Sequence, residues 1–348
     1  MKPNQRQTAL HRHRREKGPL MKNDHWIALY AAAVVFIVLA DCSYGDSFGS
    51  GVNAFEIEFV PIRNPGNVAD TTGRPNPAGS VAYNYRMGKF EVSRDMVTKA
   101  SRLGNLATTL WDMTLLNANG GDRPATGVSW NEAARFANWL NTSQGFPPAY
   151  KFMTAPDGTE LAAAENITLW SEGDVGYNAA NRYRNSRAKY FLPSVDEWYK
   201  AAYYDPKSGV YFDYPTGSNS LPASVANGTS QGAVVYGHDI WVGPADIMLA
   251  GGLSPYGTMG QGGNVFEWEE TSYDLKNDSP FSARGLRGGS WDRNSLNLLS
   301  FHRSSSSASN FGYEMGFRVA SVPEPSALLL AVVFGVGAVR MRTMKDRD

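Results

Sequence analysis

The chain has 348 residues, 42% of them hydrophobic and 12% aromatic, with a formal net charge of +0. That length can bury the core of one large domain or two ordinary ones, and the composition excludes a disordered or collagen-like chain. The balanced charge argues against nucleic acid as a partner and offers no acidic surplus for a cationic one.

Residues 1–20 are consistent with a mis-assigned start, because Met21 directly precedes a compact export signal. Within 21–45, the uncharged stretch 26–40 (WIALYAAAVVFIVLA) follows HRHRREK and Lys22. This is the order of a secretory signal peptide. The other reading is an uncleaved membrane anchor, since a span needs about 20 apolar residues and a short one can tilt. Leu39-Ala40-Asp41-Cys42 departs from a lipoprotein box at Asp41, where a small residue is wanted. Cys42 is the only cysteine, so no intramolecular disulfide can form. Of the five histidines, His11, His13 and His25 precede the apolar run. His238 and His302 are too few for a histidine-built zinc or iron site.

Between Gly45 and Ser321 there is no internal repeat and no long linker, so 46–321 reads as a single domain. Ser93 caps a first predicted helix with Met96, Val97, Ala100 and Leu103 as its apolar stripe. Ser129-Trp130-Asn131-Glu132 is a capping box for a second, with Ala133, Phe136, Ala137 and Leu140 on one face and an end near Asn141. Ser194-Val195-Asp196-Glu197 repeats the device after Pro193, with Val195, Trp198, Ala201 and Ala202 on the buried side. After Pro206 the helical signal stops. Short strand-like pieces follow around 264–268, 286–291 and 317–320 in a Gly-rich background, an α+β pattern with few helices and long loops.

Six segments in order, MGKFEVSRD from Met87, PATGVSWNEAARFANWLN from Pro124, FLPSVDEWYKAA from Phe191, SPYGTMGQGGNVFEW from Ser254, RGLRGGSW from Arg284 and GFRVAS from Gly316, resemble the signatures of the formylglycine-generating enzyme (sulfatase-modifying-factor) superfamily. The resemblance implies a loop-rich fold of C-type-lectin-like topology. In the founding members two thiolates, third and eighth after the Gly-Gly-Ser turn, hold the copper that oxidises a sulfatase cysteine. Those positions are Arg293 and Leu298 here. Neither is a soft anionic sulfur ligand, so no copper and no formylglycine-generating oxidase activity are expected. The histidine-clustered iron branch of the superfamily finds no support in two histidines.

The resemblance also implies a structural calcium held by carbonyls of Gly263 and Val265 and by the carboxylate of Glu267, although Gly260 stands where an Asp or Asn ligand is usual. The other reading of Glu267 is a carboxylate that caps a loop. Glu267, Glu269 and Glu270 beside Trp268, and Asp292 near His302, are the available acids and bases. The polar segment Ser290, Trp291, Arg293, Asn294, His302 and Arg303 would occupy the family's active-site wall and suits a ligand surface. Its other reading makes Arg303 and Arg318 structural and the serines of 304–307 a solvated loop.

The tail 322–348 contains Pro323-Glu324-Pro325, an apolar segment from Ala327 to Val339, and then Arg340, Arg342, Lys345 and Arg347. Basic residues after an apolar helix hold that end on the cytoplasmic side. The arrangement resembles a PEP-CTERM sorting signal, which implies recognition and processing by a membrane exosortase; an ordinary tail anchor is the other reading. Two functions follow: an exported, surface-anchored, non-catalytic binding or structural protein, or a divergent extracytoplasmic enzyme using the family cleft without cysteines. The partner of the first is a surface or matrix ligand whose identity the sequence does not give.

Overall fold

Strand β2 (Phe55–Ile62) alternates Phe55, Ile57 and Phe59 inward with Glu56 and Glu58 outward, the period of a sheet with one buried face. The computed structural model describes residues 45–322 apart from 107, 109 and 156–166, and all of these belong to one compact unit. The expected start, signal peptide and sorting tail, with Cys42, Pro323, Glu324 and Pro325, lie outside the described residues. Among the described residues no helix is long and apolar enough to cross a membrane.

β2 is flanked by β1 (Gly45–Phe48) and β3 (Tyr85–Gly88), with β4 (Tyr190–Phe191) at the far edge. The last strand of the domain, β13 (Ala320–Ser321), inserts antiparallel between β3 and β4, so the two ends of the domain meet in one five-stranded sheet. Between these lie two small pairs, β5 (Tyr204–Asp205) with β6 (Val210–Tyr211), and β7 (Ala223–Ser224) with β8 (Ala233–Val234). A second sheet carries the chemistry-bearing residues. Its order is β11 (Ser304–Ser306), β10 (Arg284–Arg287), β9 (Phe266–Ser272), β12 (Met315–Gly316), with only the last pairing parallel.

Three helices form where the caps predict them. Ser93 accepts from Met96 N–H to start α1 (Arg94–Gly104), and Ser129 and Ser194 close full capping boxes on α2 (Trp130–Ser143) and α3 (Val195–Tyr203). Ala133, Phe136, Ala137 and Leu140 of α2, and Val195, Trp198, Ala201 and Ala202 of α3, are buried as expected. On α1 the expected stripe is narrower: Val97 and Ala100 are buried, but Leu103 is exposed on the last turn, before Asn105 ends the helix in a left-handed conformation.

The strand-like pieces shift by a few residues. The Gly-Gly turn ends the 286–291 piece at Arg287, and 317–319 lies between β12 and β13, with only Ala320 of that piece in a strand, because Arg318 turns inward to an acid on β9. The core joins both sheets through Trp130, Trp268, Phe136 and Phe317.

Candidate functional site

The Gly-Gly-Ser turn leaves β10 through Gly288 and Gly289, both at positive φ. A Cβ on Gly288 would lie 3.0 Å from the Gln261 carbonyl oxygen, so glycine is needed there for both conformation and space. Trp291 then drives inward among Val235, Ala245 and Val265, and its indole N–H donates to the Ile240 carbonyl at 3.0 Å. Ser290 is fully buried and donates to Asp292 Oδ1 at 2.5 Å, while Asp292 Oδ2 accepts from Tyr313 at 2.9 Å. Asp292 is therefore engaged by Ser290 and Tyr313. His302 meets Asn297 at 2.9 Å through Nε2; burial and the charges of Arg287 and Arg74 pull its pKa below the ordinary value.

The six residues expected to share one ligand surface do not do so. Arg293 and Asn294 face solvent, and His302 is partly covered. Ser290, Trp291 and Arg303 are buried, because the indole fills a core pocket and the guanidinium neutralises a buried acid. The two positions where the resemblance implies thiolates lie in opposite environments. Arg293 pairs with Glu314 at 3.0 Å near the surface, whereas Leu298 is fully buried against Tyr214, Val234 and Tyr236.

The three acids of β9 are each committed to arginine. Glu267 receives both Nε and Nη2 of Arg318, at 2.6 and 2.5 Å, and the indole N–H of Trp198 at 2.7 Å. Glu269 is shared by Arg287 and Arg303 at 2.5 and 2.8 Å. Glu270, on the opposite face of the strand, accepts from Arg184 Nε and from Tyr150 Oη, both at 2.7 Å. The expectation that Arg303 and Arg318 are structural agrees with these contacts.

The calcium ligand set does not fit this arrangement. Glu267 already serves as counter-ion to Arg318, and a cation there would have to displace a buried guanidinium. At Gly260 an added Cβ would lie 2.9 Å from the carboxyl of Glu91, so Glu91 occupies the space in which the resemblance implies an Asp or Asn side chain. Among the described residues no group of three or more His, Cys, Asp or Glu is arranged to hold a metal.

Glu91 is the site residue that sequence reasoning missed; MGKFEV gives no periodic signal separating it from a surface acid. It is 1% exposed, takes a hydrogen bond from Asn264 Nδ2 at 2.7 Å, and leaves Oε1 without a partner. Burial, followed by the neighbouring charge of Glu267, holds its carboxyl well above the ordinary range.

A different region offers an open cavity. The start of α3 and the loops around Pro75, Asn181 and Leu275 enclose about 350 Å³, lined mainly by polar groups. Its floor is Arg184, clamped between Glu197 and Glu270 and stacked 3.7 Å above the ring of Phe191. Tyr83 donates to Glu197 Oε1 at 2.6 Å, which fixes its half-exposed ring at the rim. Asn277, itself in a left-handed conformation, bridges to Asn181 at 3.2 Å. Of the residues around this cavity, the sequence names Glu270 as an available acid or base and Ser194, Val195, Asp196 and Glu197 only as a helix cap; it does not single out Tyr83, Asn181, Arg184 or Asn277. A second hollow of about 300 Å³ lies beside β2 and α1; two of its acids, Glu58 and Asp95, are paired with Lys89 and Lys99.

Comparison with known proteins agrees with this architecture. Variable protein 1 of Treponema denticola superposes with a TM-score of 0.53 at 20% identity, covering 80% of this chain and 99% of that one. CarF superposes with a TM-score of 0.54 at 20% identity, covering 77% of this chain and 99% of its own. At that identity the likeness concerns the fold. No curated protein matches the sequence. Residues 64–322 match the family described as sulfatase-modifying factor enzyme 1-like domain, a range that takes in the second sheet, all three helices and strands β3, β4 and β13 of the first sheet. The chain belongs to that family.

Proposed function

We propose that this chain is an exported, envelope-anchored protein that uses the sulfatase-modifying-factor scaffold to bind a ligand rather than to oxidise cysteine. The observation that carries this reading is the fate of the two thiolate positions. Leu298 has become part of an apolar cluster and Arg293 a surface ion pair, so the copper-holding geometry has been replaced by packing on one side and salt-bridging on the other. The acids nearest the signature turn add to this, since each is neutralised by arginine instead of being left as a free base. Glu91 has the perturbed acidity of a catalytic acid but is closed off from solvent.

Export and anchoring rest on the apolar run 26–40 and on the Pro323-Glu324-Pro325 tail with its basic end, which an exosortase-type enzyme would process. The test has two parts. The full chain, incubated with copper, oxygen and a cysteine-containing sulfatase peptide, is expected to leave the peptide mass unchanged; conversion of the cysteine overturns the binding reading. Protease-accessibility mapping of fractionated cells is expected to find the central domain outside the cytoplasm, and a cytoplasmic domain overturns export.

A further inference from the structure

We propose that the cavity at the start of α3 binds an uncharged saccharide ring, with Asp196 and Asn178 reading its hydroxyls and Tyr83 covering its apolar face. The inference deepens the binding reading above and rests on it.

The floor decides what is excluded. Arg184 already holds Glu197 and Glu270, so the cavity's guanidinium has little left to offer an incoming anion. With Asp196 at the rim, three carboxylates surround one cation, and the excess of negative charge repels phosphate and uronate groups.

The polar rim decides what fits. Among the described residues, Asp196 accepts only from Gly79 N–H, at 2.7 Å through Oδ1, which leaves Oδ2 to accept from a ligand. Asn178 uses Oδ1 to hold Ala180 N–H at 3.0 Å and keeps its Nδ2 donors. A ligand must therefore donate to one group and accept from another lining the same cavity. Neighbouring hydroxyls do both, because each carries a donor and lone pairs.

The walls are apolar where a sugar is apolar. Tyr83 exposes 45% of its surface, and Leu275 and the two prolines Pro75 and Pro77 complete a surface for C–H faces. Leu275 holds φ +67 and remains 47% exposed, a strained and solvent-facing position for a branched apolar residue. Ser272, Asp274 and Asn277 brace that loop through hydrogen bonds of 2.6 to 3.0 Å, so the rim is built before a ligand arrives.

The experiment presents the full chain to immobilised neutral oligosaccharides, to matched uronic-acid oligosaccharides and to inorganic phosphate, then titrates the best-retained probe. Neutral glycans are expected to be retained and the anionic probes not. Tyr83→Ala and Asp196→Asn are each expected to weaken binding by roughly tenfold or more, while Tyr83→Phe, which keeps the ring, stays within about threefold. Asn178→Ala, at an exposed loop position, provides the same loss if the other variants melt early. Failure to retain any neutral glycan, preference for the anions, or unchanged binding in the folded variants overturns the proposal. Retention of a different ligand class would sink the saccharide while leaving the binding reading intact. Chemical conversion of a retained glycan would instead sink the non-catalytic reading.

Discussion

Arg318 grips Glu267 with two hydrogen bonds of 2.6 and 2.5 Å, and neither side chain has any solvent exposure. The same guanidinium donates to the carbonyls of Gly88 and Met259, both at about 2.8 to 2.9 Å, tying the loop before β9 to the end of β3. Thus a single arginine near the C-terminal end of the domain closes the two sheets on each other.

Removing Glu267 leaves that cation buried without a counter-charge. Glu267→Ala is expected to lose about 3–5 kcal/mol, read by urea unfolding of the wild type and variant. Because Arg318 occupies the carboxylate, wild-type melting curves in calcium and in chelator should coincide. A rise of several degrees in calcium would show that the cation competes successfully for Glu267.

Glu91 should impose an unusual pH dependence. Its folded carboxyl is held well above its ordinary value of 4.5, first by burial and then by Glu267, so the native state keeps a proton that the unfolded chain has released. This contribution is fully present below 4.5 and is lost as pH rises toward and through the raised folded value, with a slope of at most about 1.4 kcal/mol per unit. Glu91→Gln, which is permanently neutral, should flatten that part of the profile. Parallel profiles for the two proteins would show that Glu91 is ionised in the fold.

The two former thiolate positions should respond differently to truncation. Leu298→Ala opens a cavity beside Tyr214 and Tyr236 and is expected to cost about 2–5 kcal/mol. Arg293→Ala removes a pair that is 43% exposed on the arginine side, with an expected cost of no more than about 1 kcal/mol. Equal losses would contradict the division into core and surface.

Capping and pairing can be separated on α3. Ser194→Ala should cost about 0.5–2 kcal/mol, the usual contribution of a cap. Glu197→Gln should cost more. Burial alone would raise the pKa of Glu197, but Arg184 and Tyr83 pull it below the ordinary value. The stability this supplies is present above 4.5 and lost as pH falls through the lowered folded value, so wild-type stability should fall more steeply with acid across that window, and the Gln variant should lack that component. A Ser194→Ala cost equal to that of Glu197→Gln would reduce Glu197 to a capping residue.

The three helices are written locally in the chain, because a Ser cap, joined on α2 and α3 by a Glu three residues on, and apolar residues at helical spacing act within one stretch. The sequence also puts Arg293 and Leu298, rather than sulfur ligands, at the two positions where the resemblance implies thiolates, which is a matter of residue identity. Tertiary structure alone decided the rest. Strand alternation in β9 fails as a signal because Glu267, Glu269 and Glu270 are all buried, and only arginines distant in sequence, Arg184, Arg287, Arg303 and Arg318, explain why an acid can lie there. The expected ligand wall dissolved for the same reason: Trp291 fills a core pocket and Arg303 takes the structural one of its two readings, and both outcomes depend on partners distant in sequence. The cavity beside α3 joins Tyr83, Asn181, Asp196 and Asn277 from four separate stretches, and no spacing within one stretch encodes a meeting between them.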